Sequence, residues 1–328
     1  MLKLKDKIRV GITMGDPSGI GPSIIAKALD KIDAEAEFVV IGDKWVFERN
    51  RKSLSGQQVG KIKNQNFKFI DLNNVTQKKF AFGKIRAEYG KAAIEYLDVA
   101  LELIKNKDID CLVTAPISKE SIGLAGFNYV GLTEYFAQRT HAKDTVMMLL
   151  NRQLKFSLVT RHIALRNVSV ALKKDKLYKT VYITYQALKD LFSIKNPRIV
   201  VCGVNPHASD NGLIGNEENR IIKPVLNRLK RLIRHIAGPL PADVAISKAN
   251  RKVYDCIIAM YHDQALIPLK LFGNQTGVNL TLGLPFIRTS PLHGTAFDIA
   301  ANFSLANPAS LIEAIRLAVK CTLNLKRA

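Results

Sequence analysis

Three predicted strands are each followed, within two or three residues, by a histidine. The strands and their histidines are Leu154–Thr160 with His162, Arg198–Val204 with His207, and Cys256–Met260 with His262. Continuous apolar runs of this kind predict strands of a parallel sheet that is buried on both faces. Because the carboxyl ends of parallel strands lie along one edge, the three imidazoles can meet there. Three neutral imidazoles with an open position form a catalytic divalent-metal site.

The histidines also have a structural interpretation, as hydrogen-bonded loop residues, because their long spacings match no local zinc motif. Asp263 follows His262 directly, where it can accept a proton in the reaction or orient the imidazole. An ordinary turn residue is the alternative for Asp263. The remaining histidines are not assigned to a site: His141 and His235 are predicted on helix surfaces, and His293 in a loop.

Polar residues interrupt the apolar segment 274–290. Asn279 and Arg288 lie within it, and Lys270 precedes it. Arginine binds phosphate or carboxylate through two parallel hydrogen bonds, and lysine adds a compact positive charge. The segment therefore predicts an anion-binding function, and a strand pair with a structural ion pair is the alternative.

Two loops in the first half of the chain follow predicted strands. The glycine-rich segment Thr13–Pro22 lacks the Gly-x-Gly-x-x-Gly spacing, so it does not predict a Rossmann dinucleotide site. The segment Thr114–Lys119 offers a hydroxyl group, a proline turn and a lysine that can hold an anion. A polar loop with a helix cap at Ser118 explains this segment equally well.

These candidate residues belong to a chain in which predicted strands and helices alternate, which is typical of an α/β protein with mostly parallel strands. The other predicted strands are Ile8–Thr13, Phe38–Ile41, Phe67–Asp71 and Asp110–Thr114. The predicted helices include Pro22–Leu29, Gly90–Asn106, Asp175–Phe192, Glu217–Ile236 and Ser310–Leu325. The polar stretch Arg49–Asn66 is predicted to be a surface loop.

Composition limits the classes of protein. The chain has 328 residues, enough for two domains, and 47% of them are apolar, as in globular proteins. No apolar run is long enough to cross a membrane, and the start has no secretory pattern, so we expect a cytoplasmic protein. The four cysteines are far apart, and we expect them to be reduced and buried.

The net charge of +21 raises the possibility of nucleic-acid binding. The basic residues are scattered, however, and aromatic residues make up only 7% of the chain, without a stacking pattern. An anionic small-molecule substrate is the favoured explanation, and we expect neither a nucleic-acid nor a membrane partner.

Taken together, the motifs resemble those of the 4-hydroxythreonine-4-phosphate dehydrogenase family of pyridoxal phosphate synthesis. The resemblance extends from about Val10 to Ala300. The motifs that carry it are Gly15–Pro22, Thr114–Lys119, Cys202–Ala208, Gly238–Asp243, Met260–Gln264 and Gly277–Ser290.

This resemblance implies the isocitrate/isopropylmalate-dehydrogenase-like fold, with two α/β domains and the active site in the cleft between them. We expect the first domain to comprise residues 1–130 and 285–328, and the second to comprise 131–284 with the metal ligands and dimer contacts. In the family, the third of the histidine ligands comes from the other subunit, which implies a homodimer with a shared active site.

The resemblance also implies residue roles. The metal ligands are His162, His207 and His262, and the substrate-binding residues are Thr133, Lys270, Asn279 and Arg288. The cofactors are NAD or NADP and one divalent metal ion (zinc, magnesium or cobalt), while the residues that bind the nicotinamide cofactor are not identified. The implied reaction oxidises 4-phosphooxy-L-threonine at its secondary alcohol and then decarboxylates it to 3-amino-2-oxopropyl phosphate.

One position departs from the family pattern. The family motif Gly-His-Thr-Glu is Gly131-Leu132-Thr133-Glu134 in this chain, so a leucine replaces a substrate-binding histidine. Leucine neither donates a hydrogen bond nor carries charge, which keeps open a related substrate such as phospho-threonate or phospho-erythronate. An acyltransferase of related fold, which transfers acyl groups to phosphate, is a more distant alternative.

Overall fold

The computed structural model describes residues 7–33, 35–55, 67–129, 131–273 and 275–327. In chain order, the strands and α-helices of these residues are β1 (Ile8–Thr13), α1 (Gly21–Lys31), β2 (Ala36–Gly42), α2 (Lys44–Ser55), β3 (Phe67–Asp71), α3 (Ala87–Lys105), β4 (Cys111–Thr114), α4 (Lys119–Leu124), α5 (Leu132–Thr140), β5 (Val146–Leu150), β6 (Lys155–Leu158), α6 (Val168–Ala171), α7 (Lys174–Asp190), β7 (Arg198–Cys202), α8 (Lys223–Leu229), β8 (His235–Leu240), α9 (Ala242–Asn250), β9 (Cys256–Ala259), α10 (His262–Gly273), β10 (Val278–Leu282), β11 (Ile287–Pro291) and α11 (Ala309–Arg327).

The chain divides into two compact units. The first unit comprises Met1–Thr140 and Pro285–Leu323, and the second comprises His141–Leu284 and Asn324–Ala328. Helix α5, which contains Thr133, therefore belongs to the first unit.

In the first unit, parallel strands are arranged in the order β3-β2-β1-β4-β11. Apolar strand residues such as Val10 and Ile12 are fully buried. Helix α3 buries Ala93, Leu97 and Ala100, whose spacing of three to four residues forms one apolar face. The last residues of β1 and β4 are paired in register, so the loops that follow these two strands begin at the same edge.

In the second unit, the strand order is β10-β5-β6-β9-β7-β8. Strands β10, β5 and β6 pair antiparallel, whereas β6, β9, β7 and β8 run parallel. Strand β9 lies between β6 and β7 and is buried along its whole length. The carboxyl ends of these three strands therefore share one edge, as predicted for the strands that precede the histidines.

The predicted α/β class, with a mostly parallel sheet covered by helices, is confirmed, and three local predictions are wrong. His141 follows the last residue of α5 and has a positive φ of 55°, so it is not on a helix surface. His235 begins strand β8 and is not on a helix, because the helix predicted for Glu217–Ile236 ends at Leu229. Over so short a segment, the apolar residues after Leu229 fit the helical period of about 3.6 residues as well as the strand period of two. Residues 49–55 continue helix α2 where a loop was predicted, and the rest of that stretch, 56–66, lies outside the described residues.

All four cysteines are free and buried, as expected. Burial raises the pKa of the Cys202 and Cys256 thiols to about 12, so neither is a thiolate at neutral pH. Within the described part of the chain, the helices are too short or too polar to cross a membrane.

Candidate active site

The ends of strands β6 and β9 are joined by hydrogen bonds just before their histidines. The Val159 amide donates to the Ala259 carbonyl at 2.9 Å, and the Thr160 hydroxyl donates to the Met260 carbonyl at 2.6 Å. Thr160 is fully buried, so this contact is shielded from water. These hydrogen bonds therefore fix the relative positions of the two segments that lead to His162 and His262.

His162 and His262 are brought together by this arrangement. Their ring centroids are 5.6 Å apart, and the rings are tilted by 48°. A zinc ion bound by two imidazoles at about 2.0–2.1 Å holds their ring centres roughly 5–6 Å apart, so the pair fits a divalent metal. No larger group of histidine, cysteine and acidic ligands occurs among the residues that the structure describes.

Asp263 orients one member of this pair. The His262 Nδ1 and Asp263 Oδ1 atoms are 2.6 Å apart, a distance at which the ring N–H donates to the carboxylate. The other ring nitrogen, Nε2, then carries the lone pair that a metal requires. Metal-binding histidines commonly have such a carboxylate partner, which fixes their tautomer and orientation.

His207 begins a segment of unusual backbone conformation. From His207 to Asn211 every residue has a positive φ angle, between 43° and 71°. None of these residues is glycine, and such conformations cost roughly 1–2 kcal/mol for each residue. Strained backbone of this kind occurs preferentially at active sites and ligand-binding segments. The site prediction for His207 therefore has a structural feature in its favour, although the His207 ring is not part of the 5.6 Å pair.

Arg288 is the most deeply buried of the predicted substrate-binding residues. Its side chain is 3% exposed, and its Nη2 atom donates to the Thr114 hydroxyl at 2.6 Å. Its guanidinium carbon lies 5.6 Å from the centre of the Phe136 ring. Burial lowers the pKa of Arg288 to about 9, and the negative charge of Glu134 opposes that shift. The group remains a cation at neutral pH.

The other predicted substrate-binding residues differ in their surroundings. Thr133 lies in the first turn of α5 and is buried. Asn279 lies in β10, and its Oδ1 atom is buried without a hydrogen-bond partner among the described residues. Lys270 is exposed on α10. A buried acceptor without a partner is costly unless a ligand donates to it, so Asn279 has a feature of a binding residue.

The glycine-rich loop after β1 packs against the protein itself. Gly15 has a φ of 72°, and a Cβ atom there would lie 2.3 Å from the Pro116 carbonyl oxygen. The Asp16 amide donates to that same oxygen. Ser118 caps α4 by accepting a hydrogen bond from the Ser121 amide. A structural role therefore accounts for Gly15 in the loop Thr13–Pro22 and for Ser118 in the loop Thr114–Lys119.

Comparison with known proteins agrees with the motifs. The family model described as "Pyridoxal phosphate biosynthetic protein PdxA" matches residues 34–318. The chain belongs to the PdxA family. The family prediction made from the sequence, and with it the prediction of an enzyme of this dehydrogenase class, is confirmed.

PdxA family relatives carry two different names. A 4-hydroxythreonine-4-phosphate dehydrogenase of Sulfurihydrogenibium sp. (strain YO3AOP1) is 42% identical over 317 residues, which cover 95% of this chain and 98% of that protein. A D-threonate 4-phosphate dehydrogenase of Salmonella typhimurium (strain LT2) is 40% identical over 322 residues, with 95% and 98% covered. A crystal structure of the Klebsiella pneumoniae 4-hydroxythreonine-4-phosphate dehydrogenase has a TM-score of 0.84 and 34% identity, and covers 96% of this chain and 98% of that one.

Sequence reasoning missed two buried polar residues that contact the segments leading to the histidines, Gln264 and Glu218. Gln264 lies two positions after His262 and is 7% exposed, and Glu218 is fully buried. A buried polar side chain next to a predicted ligand indicates a functional role. The sequence does not reveal, however, whether a polar residue in the first turn of a helix is buried.

Proposed function

We propose that the chain oxidises 4-phosphooxy-L-threonine at its secondary alcohol and decarboxylates the product to 3-amino-2-oxopropyl phosphate. The observation that carries the proposal is the His162–His262 pair with its Asp263 partner, at the edge where three parallel strands end. Membership of the PdxA family supports the substrate class, a phosphorylated small molecule, and the use of a nicotinamide cofactor.

We propose that His162, His207 and His262 hold one divalent metal ion, either zinc, magnesium or cobalt. When bound, the metal would supply a positive charge that acidifies the alcohol and favours loss of carbon dioxide, and NAD or NADP would supply the hydride acceptor. Asp263 would hold the proton on His262 Nδ1, which would leave the Nε2 lone pair free to bind the ion. We propose that its exposed carboxylate also accepts the alcohol proton.

We further propose that Arg288, Thr133, Lys270 and Asn279 bind the substrate. The cations Arg288 and Lys270 match its phosphate and carboxylate groups, since arginine offers a planar pair of donors and lysine a compact charge. Thr133 and Asn279 provide neutral polar groups that distinguish the substrate hydroxyl and amine. Holding both ends of a small substrate fixes its alcohol for the reaction.

A second candidate substrate is D-threonate 4-phosphate, which has a hydroxyl group where the first has an amine. Leu132 favours it, because the family histidine that binds substrate is absent, and a relative of 40% identity carries that activity in its name. An acyltransferase acting on phosphate is disfavoured, since it has no use for a carboxylate-oriented imidazole pair.

The assay that tests the function measures reduction of NAD and of NADP with 4-phosphooxy-L-threonine, D-threonate 4-phosphate and D-erythronate 4-phosphate. We expect the highest kcat/KM with the first substrate, loss of activity with a chelator and recovery with added metal. A preference for D-threonate 4-phosphate would select the second candidate. No turnover with any of the three, after metal is restored, would refute the proposal.

Replacing Leu132 with histidine tests the departure from the family pattern. If 4-phosphooxy-L-threonine is the substrate, we expect Leu132→His to raise kcat/KM by roughly tenfold or more, because one hydrogen bond to a charged group contributes about 1.5–3 kcal/mol. Leu124→His, at an exposed position at the end of α4, is the control. An unchanged or lower kcat/KM indicates that another residue compensates or that the substrate differs.

We also propose that two copies of the chain form a homodimer that completes the metal site. The segments that follow the three histidines expose large apolar side chains: Ile163, Leu165 and Val170 after the first, Leu213 and Ile214 after the second, and Ile267, Leu271 and Phe272 after the third. Exposed apolar residues in several segments that follow the proposed ligands are the kind of surface that forms a protein interface. A second copy is the occupant we propose, because the family resemblance implies that the third histidine ligand comes from the other subunit.

The dimer is tested by Leu213→Asp. Leu213 is 84% exposed, so the substitution does not disturb the core of one chain. In a twofold interface each substitution acts twice, and losing about 1.5–3 kcal/mol per buried leucine weakens the dimer by roughly a hundredfold or more. Sedimentation velocity should show monomers with reduced zinc affinity, whereas Leu124→Asp should remain dimeric. A wild-type chain that is monomeric would contradict the shared site.

A further inference from the structure

The side chain of Gln264 links two of the strand ends that carry histidines. Its Oε1 atom accepts a hydrogen bond from the Met260 amide at 2.7 Å, and its Nε2 atom donates to the Gly203 carbonyl at 2.9 Å. Met260 directly follows β9, two residues before His262. Gly203 directly follows β7, four residues before His207. Both hydrogen bonds are buried, so water does not compete for them.

Glu218 holds the same loop from its other side. Its Oε1 atom accepts hydrogen bonds from the amides of Val204 and Asn205 at 2.8 and 2.9 Å, and its Oε2 atom accepts one from the Asn205 side chain at 2.9 Å. The short path from Gly203 to Asn205 is therefore fixed at three successive residues. The strained segment that begins at His207 follows directly, and strain of this kind persists only where the surrounding structure enforces it.

We propose that Gln264 is a positioning residue, whose amide holds the His207 loop against the start of the His262 helix and so fixes both imidazoles at the strand edge of the proposed metal site. The inference deepens the proposed metal site and rests on it. Gln264 does not touch the metal in this proposal, because both ends of its amide are occupied by backbone groups. Its effect is exerted through the positions of His207 and His262.

Two variants separate this role from a general role in folding. Gln264→Met keeps the volume and removes both hydrogen bonds. Gln264→Glu keeps an acceptor for the Met260 amide and removes the donor to Gly203, and a carboxylate in the first turn of α10 is favoured by the helix dipole. The control is Asn151→Leu, which removes another buried amide of the second unit. Asn151 donates to the Leu269 carbonyl at the far end of α10 and contacts neither histidine-bearing loop through the bonds described.

The measurements are zinc affinity by competition with a chromophoric chelator, the visible spectrum of the cobalt-loaded protein, and amide hydrogen exchange of residues 203–211 in the full chain. We expect both Gln264 variants to bind zinc roughly tenfold more weakly, as is typical for groups that orient ligands. We also expect an altered cobalt spectrum and faster exchange in the loop, with none of these changes in Asn151→Leu.

The outcomes distinguish the inference from the function on which it rests. Wild-type zinc affinity in both Gln264 variants, or equal losses in Asn151→Leu, would overturn the positioning role while leaving the metal site intact. A wild-type protein that binds neither zinc nor cobalt would refute the metal site itself, and this inference with it.

Discussion

Replacing His262 with alanine is expected to remove the bound divalent metal and to lower turnover by roughly a thousandfold or more. The reason is that His262 is central to the proposed site: its strand, β9, is flanked by both other histidine-bearing strands. Its ring is also the one that approaches His162 and is oriented by Asp263. Metal content by elemental analysis and kcat with saturating metal check the result.

The same loss is expected for His207→Ala, which tests whether the third histidine belongs to the site. His235→Ala is the matched control, because His235 is an exposed histidine in the same unit, at the start of β8. The control should keep both metal and turnover. Full metal content and rate in His207→Ala would restrict the site to His162 and His262 and would contradict the three-histidine proposal.

The strands that carry these histidines could be predicted because of where they lie in the sheet. Strands β7 and β9 are buried on both faces, so their sequences are uninterrupted apolar runs that no amphipathic helix produces. The position of each histidine just past such a run then implies a shared edge. The sequence pattern does not predict which imidazole rings approach each other, because this depends on the strand order β6-β9-β7 in the sheet.

The errors have a different origin. The first two residues of strand β8, His235 and Ile236, fall within the predicted helix Glu217–Ile236, because the strand is half-exposed and carries no long apolar run. Strand β5, Val146–Leu150, was not among the predicted strands, since methionine and leucine favour helices and the run is short. Gln264 was missed for a third reason. The Gly203 carbonyl that it binds is 61 residues away in the chain, and only the fold brings them together.

Replacing Arg288 with methionine is expected to lower kcat/KM for the phosphorylated substrate by roughly a hundredfold or more, mainly through KM. Two charge-assisted hydrogen bonds of about 1.5–3 kcal/mol each would be lost with the guanidinium. Methionine fits the site, because Arg288 packs on Phe136 in a buried environment. Steady-state kinetics with and without added inorganic phosphate as a competitor measure the effect, and Arg9→Met, which removes a partly exposed arginine paired with Asp110, is the control.

Thermal stability decides between the binding and the structural interpretation of Arg288. Burying a guanidinium costs free energy, as its lowered pKa of about 9 indicates, and replacing a buried charge with an apolar group of similar size is often neutral or stabilising. If the arginine is retained for binding, Arg288→Met should keep or raise Tm while kcat/KM falls. If instead it serves an ion pair with Glu134, its removal leaves that carboxylate uncompensated, and Tm should fall while substrate affinity is preserved. Because the two interpretations predict opposite combinations, a single variant separates them.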